Sequence, residues 1–385
     1  MRAAVLVAAV ALLGAAPSPM PADYLADARS LDREIAGTYA YLDRFPGGTV
    51  PTSPQLTAER EAVHDRDSLL RYAEDRLFAL ADHHAITTRS FPDDWGLAPS
   101  YADLWIVTDG QGYRIDAVRE GSPAAAAGVT AGDRLVAVGG VPTARAVAAF
   151  WAPIGRPAAS DADAVAARVL AVGRRDRSRD LTISGRAGER RLTLASLYSA
   201  PHDEPPVAVT AARGRTTIRF GNSLGEQATI AAFDAAMARV PDAAPLTLDL
   251  TNTPSGGNTS VARAVMGWFV DRPTGYQVHN LVGEERDTGI ARQWVEQVLP
   301  RAGKRHHGPI EVRVGRWTGS MGEGLAIGLA ATGARVCGTA MAGLRGAVYD
   351  VTLPKTGLVV KLPAERLSSV DGVPREFYRP AACRG

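Results

Sequence analysis

The stretch that most constrains this chain runs from Ile310-Glu311-Val312-Arg313-Val314, through Arg316-Trp317-Thr318-Gly319-Ser320-Met321-Gly322-Glu323-Gly324, to Leu325-Ala326-Ile327-Gly328-Leu329-Ala330. The first part alternates apolar and charged residues as a strand does, and the last is a small-residue run that predicts a helix. One serine stands between them on a glycine-flanked turn. A strand, a sharp turn and a helix with small residues around Ser is the geometry of a nucleophile elbow. Glycine permits tight or positive-φ backbone there, and the helix start leaves the N–H of Met321 free to stabilise an oxyanion. The literal Gly-x-Ser-x-Gly spacing is absent, and a serine here also serves as a helix N-cap. Ser320 is therefore a candidate nucleophile whose partners must be sought elsewhere in the chain.

The size and charge of the chain narrow the search. Its 385 residues, 46% hydrophobic and 22% charged, are enough for two or three soluble domains. A formal net charge of +2 with no Lys/Arg block and no aromatic–basic interleaving offers no footprint for nucleic acid. Lys304, Lys355 and Lys361 are the only lysines. Residues 1–19 hold Arg2 and then a run of Ala, Val and Leu ending in small residues, the layout of a secretory signal peptide, so export to a periplasmic or extracellular space is expected. That run is too short for a comfortable membrane span. Cys337 and Cys383 are the only cysteines; in an oxidising compartment they are either a disulfide or two separate thiols, and spacing does not decide.

From about residue 23 to 94 the pattern is helical. Leu69, Leu70, Ala73, Leu77 and Leu80 recur at three- and four-residue steps and read as core. The helix runs out at Ala81-Asp82-His83-His84-Ala85-Ile86, which puts two histidines at a helix exit. His306-His307, after Lys304-Arg305, reads as a solvated basic corner. Between residues 95 and 200 lies a smaller unit. Val118-Arg119-Glu120-Gly121-Ser122-Pro123-Ala124 leads to Ala127-Gly128-Val129, and Gly132-Asp133-Arg134-Leu135-Val136-Ala137-Val138 ends in Gly139-Gly140. This composite resembles a PDZ domain, which implies capture of extended peptides on a strand edge, expected here near Gln111-Gly112-Tyr113-Arg114-Ile115. Pro157 to Asp163 reads as a loop before the unit's last helix.

From about residue 205 to 385 strands and helices alternate, an α/β layout. The strand Leu246-Thr247-Leu248-Asp249-Leu250 enters Thr251-Asn252-Thr253-Pro254-Ser255-Gly256-Gly257-Asn258 and then an apolar helix. Paired glycines between a strand's carboxyl end and a helix start can aim N–H groups at an anionic oxygen, or form a plain βα loop. No nucleotide-binding or metal-ligating spacing occurs, so neither a cofactor nor a metal is expected.

Taken in order, apolar leader, helical segment, PDZ-like unit, Leu248-Asp249-Leu250 with Gly256-Gly257, and Ser320 on its turn resemble the tail-specific or C-terminal processing serine peptidases, the family that includes tricorn protease. The resemblance implies an α/β core of the crotonase type, a helical N-terminal segment and peptide or protein substrates. Where the Ser–Lys members place lysine, this chain has Met341-Ala342-Gly343-Leu344-Arg345-Gly346, and arginine cannot accept a serine's proton. The tricorn-like branch uses a histidine ahead of the PDZ unit and a late glutamate. By that resemblance His84 is the general base, His83 a possible orienter and Glu376 the carboxylate behind the base, with Gly256, Gly257 and Met321 forming the oxyanion hole. A catalytically inactive peptide- or small-ligand-binding protein on the same scaffold is the alternative.

Overall fold

The computed structural model describes residues 18–186, 188–199, 204–212 and 214–383, so the apolar leader through Pro17 lies outside the described residues. Three helices open the described chain: α1 (Pro21–Thr38), α2 (Pro54–Glu61) and α3 (Arg66–Phe78). Local chemistry sets their starts. Ser53 accepts from Leu56 N and precedes Pro54 at the first helical position, while Asp65 accepts from Ser68 N. The predicted core face of α3 is buried, with Leu69, Leu70, Ala73 and Leu77 all at most 4% exposed. The chain then reverses at Ala81, whose φ of 45° is rare for a residue with a Cβ, and enters the two-residue strand β1 (Ile86–Thr87).

The next unit comprises β2 (Leu104–Asp109), β3 (Gly112–Val118), α4 (Pro123–Ala126), β4 (Arg134–Val138), β5 (Val141–Pro142), α5 (Thr143–Trp151), α6 (Ser160–Val172), β6 (Arg179–Gly185) and β7 (Gly188–Leu194). Its sheet runs β2-β3-β4-β6-β7, with β5 on β4. Among the described residues its edge strands are therefore β2 and β7. The strand expected to receive a peptide, β3, is paired on both sides, and the segment read as a loop ends at Ser160, where α6 begins.

The remaining elements are β8 (Val207–Ala212), β9 (Arg215–Phe220), α7 (Ala228–Met237), β10 (Leu246–Asp249), α8 (Thr259–Met266), β11 (Thr274–Asn280), α9 (Val282–Thr288), β12 (Gln293–Val298), β13 (Ile310–Val314), α10 (Met321–Ala331), β14 (Arg335–Gly338), β15 (Ala347–Thr352) and β16 (Val359–Ser368). One sheet is ordered β14-β13-β10-β9-β8, parallel except at β8. Its central strands carry Leu246, Leu248 and Val312 with no exposure, as expected for parallel strands covered on both faces. A second sheet, β1-β16-β11-β12 with β15 on β16, lies across α10. The N-terminal helical segment thus leads into a strand, β1, that pairs with β16 in a sheet otherwise made by β11, β12 and β15.

One detail differs from the sequence reading, and one alternative it left open is decided. His306 is only 5% exposed and its ring nitrogens have no partner, whereas His307 is exposed and pairs with Asp242; packing against Phe269 takes His306 out of solvent. Cys337 and Cys383 form a disulfide, closing β14 onto the chain's end.

Candidate active site

β10 and β13 are neighbours in register, Leu246 opposite Ile310, so the loops leaving their carboxyl ends must meet. They are stitched together: Thr253 N donates to Trp317 O at 2.9 Å, and Gly319 N donates to Thr253 O at 3.2 Å. Both Thr253 and Thr318, fully buried, donate their hydroxyls to Leu250 O. The junction brings Gly256 against Ser320. At Gly256 φ is +67°, and a Cβ there would lie 2.4 Å from Ser320 Cβ and 2.8 Å from Met321 N, so only glycine fits.

Ser320 itself has φ 50° and ψ −113°, outside the regions an L-residue ordinarily occupies, immediately before α10. Strain at one residue between a strand and a helix is what an exposed nucleophile on an elbow requires. Its hydroxyl lies 2.9 Å from His84 Nε2. On the other side of the ring, His84 Nδ1 donates to the backbone carbonyl of Arg345 at 2.6 Å. That bond fixes the proton on Nδ1 and leaves the Nε2 lone pair facing the serine. His84 is set in place through its backbone as well: Asp82 accepts from His84 N at 3.0 Å and from the Tyr39 hydroxyl at 2.7 Å.

Burial, with the nearby Arg375 cation, lowers the His84 pKa to about 4, against the upward pull of the Arg345 carbonyl and of Asp82. The imidazole is therefore neutral, and a proton acceptor, at neutral pH. Behind Ser320, the carboxylate of Glu323, with no exposed surface, accepts from Ser320 N, Gly343 N and Leu344 N.

The structure brings Ser320 and His84 together and does not place Glu376, His83 or the Gly256 N–H in the roles the resemblance implied. Glu376 makes no hydrogen bond to His84. Its Oε2 is buried without a partner beside a cavity of about 400 Å³ shared with Tyr41, Asn280 and Arg345, and the place behind the base belongs to a backbone carbonyl. His83 does not orient His84 either: its Nε2 accepts from Arg168 Nε at 3.0 Å, and burial, with the Arg168 and Arg345 cations, keeps it neutral. Among the glycines, Gly256 spends its N–H on Thr253 O at 3.2 Å, whereas the N–H groups of Gly257 and Met321 donate to no protein acceptor among the described residues. Of the lysines, Lys304 pairs with Asp234 and Lys361 with Asp350.

The sheet of the smaller unit abuts this site. Trp317 donates its indole N–H to Ala102 O at 2.8 Å, Arg316 pairs with Asp116 at 2.7 Å, and Arg119 donates twice to Asn252 Oδ1. Trp105 on the edge strand β2 meets Trp317 edge to face at 6.4 Å.

Residues 114–149 match the family described as PDZ domain. No curated protein matches the chain. Among solved structures, the fold is similar to the photosystem II D1 C-terminal processing protease, with a TM-score of 0.56 at 16% identity over 93% of this chain and 92% of the other. It is similar to mature CPAF with a TM-score of 0.56 at 15% identity over 94% and 92%. A weaker likeness, TM-score 0.39 at 14% identity over 89% of this chain and 32% of the other, is to the tricorn protease. The chain is thus a mixed α/β protein with a PDZ domain and the fold of C-terminal processing protease structures; at these identities the likeness speaks for the fold alone. Among the described residues no helix is long and apolar enough to cross a membrane.

Proposed function

We propose that this chain is an exported serine peptidase acting on extended or C-terminal peptide segments. The observation that carries the reading is the 2.9 Å contact between Ser320 Oγ, on a strained elbow, and the unprotonated Nε2 of His84. Ser320 Oγ attacks the peptide carbonyl carbon as its proton passes to His84 Nε2. The oxyanion forms against the N–H groups of Gly257 and Met321. His84 then gives the proton to the leaving amine as the C–N bond breaks, and water hydrolyses the acyl-serine by the reverse proton path. The parts we assign are a leader at 1–19, a helical segment at 23–94, the PDZ unit at 95–200, and a crotonase-like core at 205–385. The PDZ unit supplies peptide capture.

The alternative, an inactive peptide- or small-ligand-binding protein, is favoured by one observation: the base is backed by a neutral carbonyl where serine hydrolases commonly have a carboxylate. A fluorophosphonate probe with peptide mapping separates the two. Covalent label on Ser320 is expected; an unlabelled Ser320 in folded protein that still binds peptides gives the chain to the binder.

A further inference from the structure

Glu323 lies one helical turn past the nucleophile, and nothing in the proton path above uses it. It is nevertheless a carboxyl group with 0% exposure and no ion pair among the described residues. Burying such a group is costly unless its oxygens are satisfied, and all three hydrogen bonds it receives come from backbone. Oε2 accepts from Ser320 N at 2.9 Å and from Leu344 N at 3.2 Å, and Oε1 accepts from Gly343 N at 2.8 Å. One side chain therefore holds the nucleophile's own peptide and the two residues ahead of Arg345.

Arg345 is the residue whose carbonyl receives the His84 Nδ1 proton. Its other flank is also held: Arg375, only 2% exposed, donates through Nη2 to Leu344 O at 3.0 Å and to Gly346 O at 2.5 Å. N–H groups before Arg345 thus go to Glu323, and carbonyls on either side of it go to Arg375. What remains free to face His84 is the Arg345 carbonyl. We propose that Glu323 is a positioning residue that sets Ser320 and the orienting carbonyl of His84 in one register, by binding the backbone of both with a single carboxylate.

This inference rests on the peptidase reading and adds a regulatory consequence to it. Three N–H donors want an ionised acceptor; a protonated carboxyl must itself donate and gives up part of that set. Burial raises the Glu323 pKa to about 7, while Arg375 and the three backbone bonds pull it down. The other charged groups around the adjoining cavity of about 350 Å³ are Arg168, Arg316, Arg379 and Glu376, and His84 stands beyond Ser320. Losing the clamp shifts nucleophile and base relative to each other, and a misplacement of about 1 Å costs on the order of 10²-fold in rate.

The experiment is the rate of fluorophosphonate labelling of Ser320 as a function of pH in the full-length protein and in Glu323→Gln. The wild-type rate should fall with a midpoint near 7, well above the pKa of about 4 of the base itself. Glu323→Gln, which has the same shape and no ionisation, should label about 10- to 100-fold more slowly at pH 8 and show no break near 7. A wild-type rate that stays level from pH 8 down to 5 overturns the proposal without need of the variant, and so does a Glu323→Gln profile that keeps its break near 7. Wild-type protein that is never labelled removes the peptidase reading itself, an outcome distinct from either of these.

Discussion

The two halves of the candidate site are built by different means. The Ser320 half is local: β10, β13, their adjoining loops and α10 all fall within residues 246–331, and the contacts that fix the elbow join Thr253, Leu250, Trp317 and Gly319. The His84 half is long-range. It begins where α3 ends, is held by Asp82 and Tyr39, is pinned by pairing of β1 with β16 at Ile86 and Lys361, and receives its orientation from a carbonyl 261 residues away. The proposed nucleophile is positioned by one supersecondary unit, whereas the proposed base depends on the N-terminal helices, the second sheet and the 343–346 loop docking together.

If that contrast is right, the largest effect comes from removing either reacting group. Ser320→Ala and His84→Ala should each lower peptide hydrolysis by at least about 10³-fold. Their thermal stabilities should differ, however. The serine is half-buried on a turn and its loss leaves Tm nearly unchanged, while His84→Ala also frees the Arg345 carbonyl and lowers Tm. Equal Tm values for the two variants would contradict the idea that the base is part of long-range docking. Gly256→Ala comes next. A methyl group 2.4 Å from Ser320 Cβ, at φ +67°, forces the elbow to move, and the left-handed backbone alone costs about 1–2 kcal/mol. We expect labelling of Ser320 to fall by about 10²-fold, with a measurable loss of stability in urea.

The uneven legibility of the sequence follows from the same contrast. Alternation at 310–314, small residues at 325–330, and paired glycines after Leu250 are signals written in consecutive residues, and they locate β13, α10 and the loop that faces Ser320. The α3 core was legible for the same reason. The orienter of His84 was not, because a main-chain carbonyl has no residue type to mark it: Arg345 is recognisable in sequence only as an arginine where a lysine would be needed. Glu323 stood in plain view within the motif, but its role depends on Gly343 and Leu344 arriving from another loop. The edges of the PDZ unit's sheet turned on strand order, which periodicity does not encode: β3 is interior, and β2 and β7 are the edge strands. The pairing of Cys337 with Cys383 likewise required the bridge between Cys337 and Ala381 that brings the chain's end beside β14.

A middle-sized effect is expected at Asp82. Its carboxylate accepts from the His84 amide and the Tyr39 hydroxyl, and its charge raises the His84 pKa, which is to say it favours the imidazolium that forms as Ser320 attacks. Asp82→Asn keeps the shape but removes the charge and one acceptor. Hydrolysis should fall by about 10-fold, most of it in kcat, since Asp82 acts here through His84, whose amide it holds. A change confined to KM would show that Asp82 shapes the peptide cleft instead.

The smallest effect should be at Glu376, and it is the most informative about the base. A carboxylate hydrogen-bonded to an imidazole is worth about 10⁴-fold in a serine hydrolase when replaced by its amide. Here His84 Nδ1 already has its acceptor at 2.6 Å, and Nε2 faces Ser320, so neither ring nitrogen is left for Glu376. Glu376→Gln should therefore change kcat for peptide hydrolysis by less than about 3-fold, the range expected for a charge change near but outside the reacting groups. The Arg345 side chain should be similarly dispensable to the base, because it is the main-chain carbonyl that is used, and Arg345→Ala retains one. A loss of about 10²-fold or more in Glu376→Gln, with Arg345→Ala near wild type, would mean that Glu376 displaces the carbonyl when substrate binds and that the long-range half of the site is completed only then.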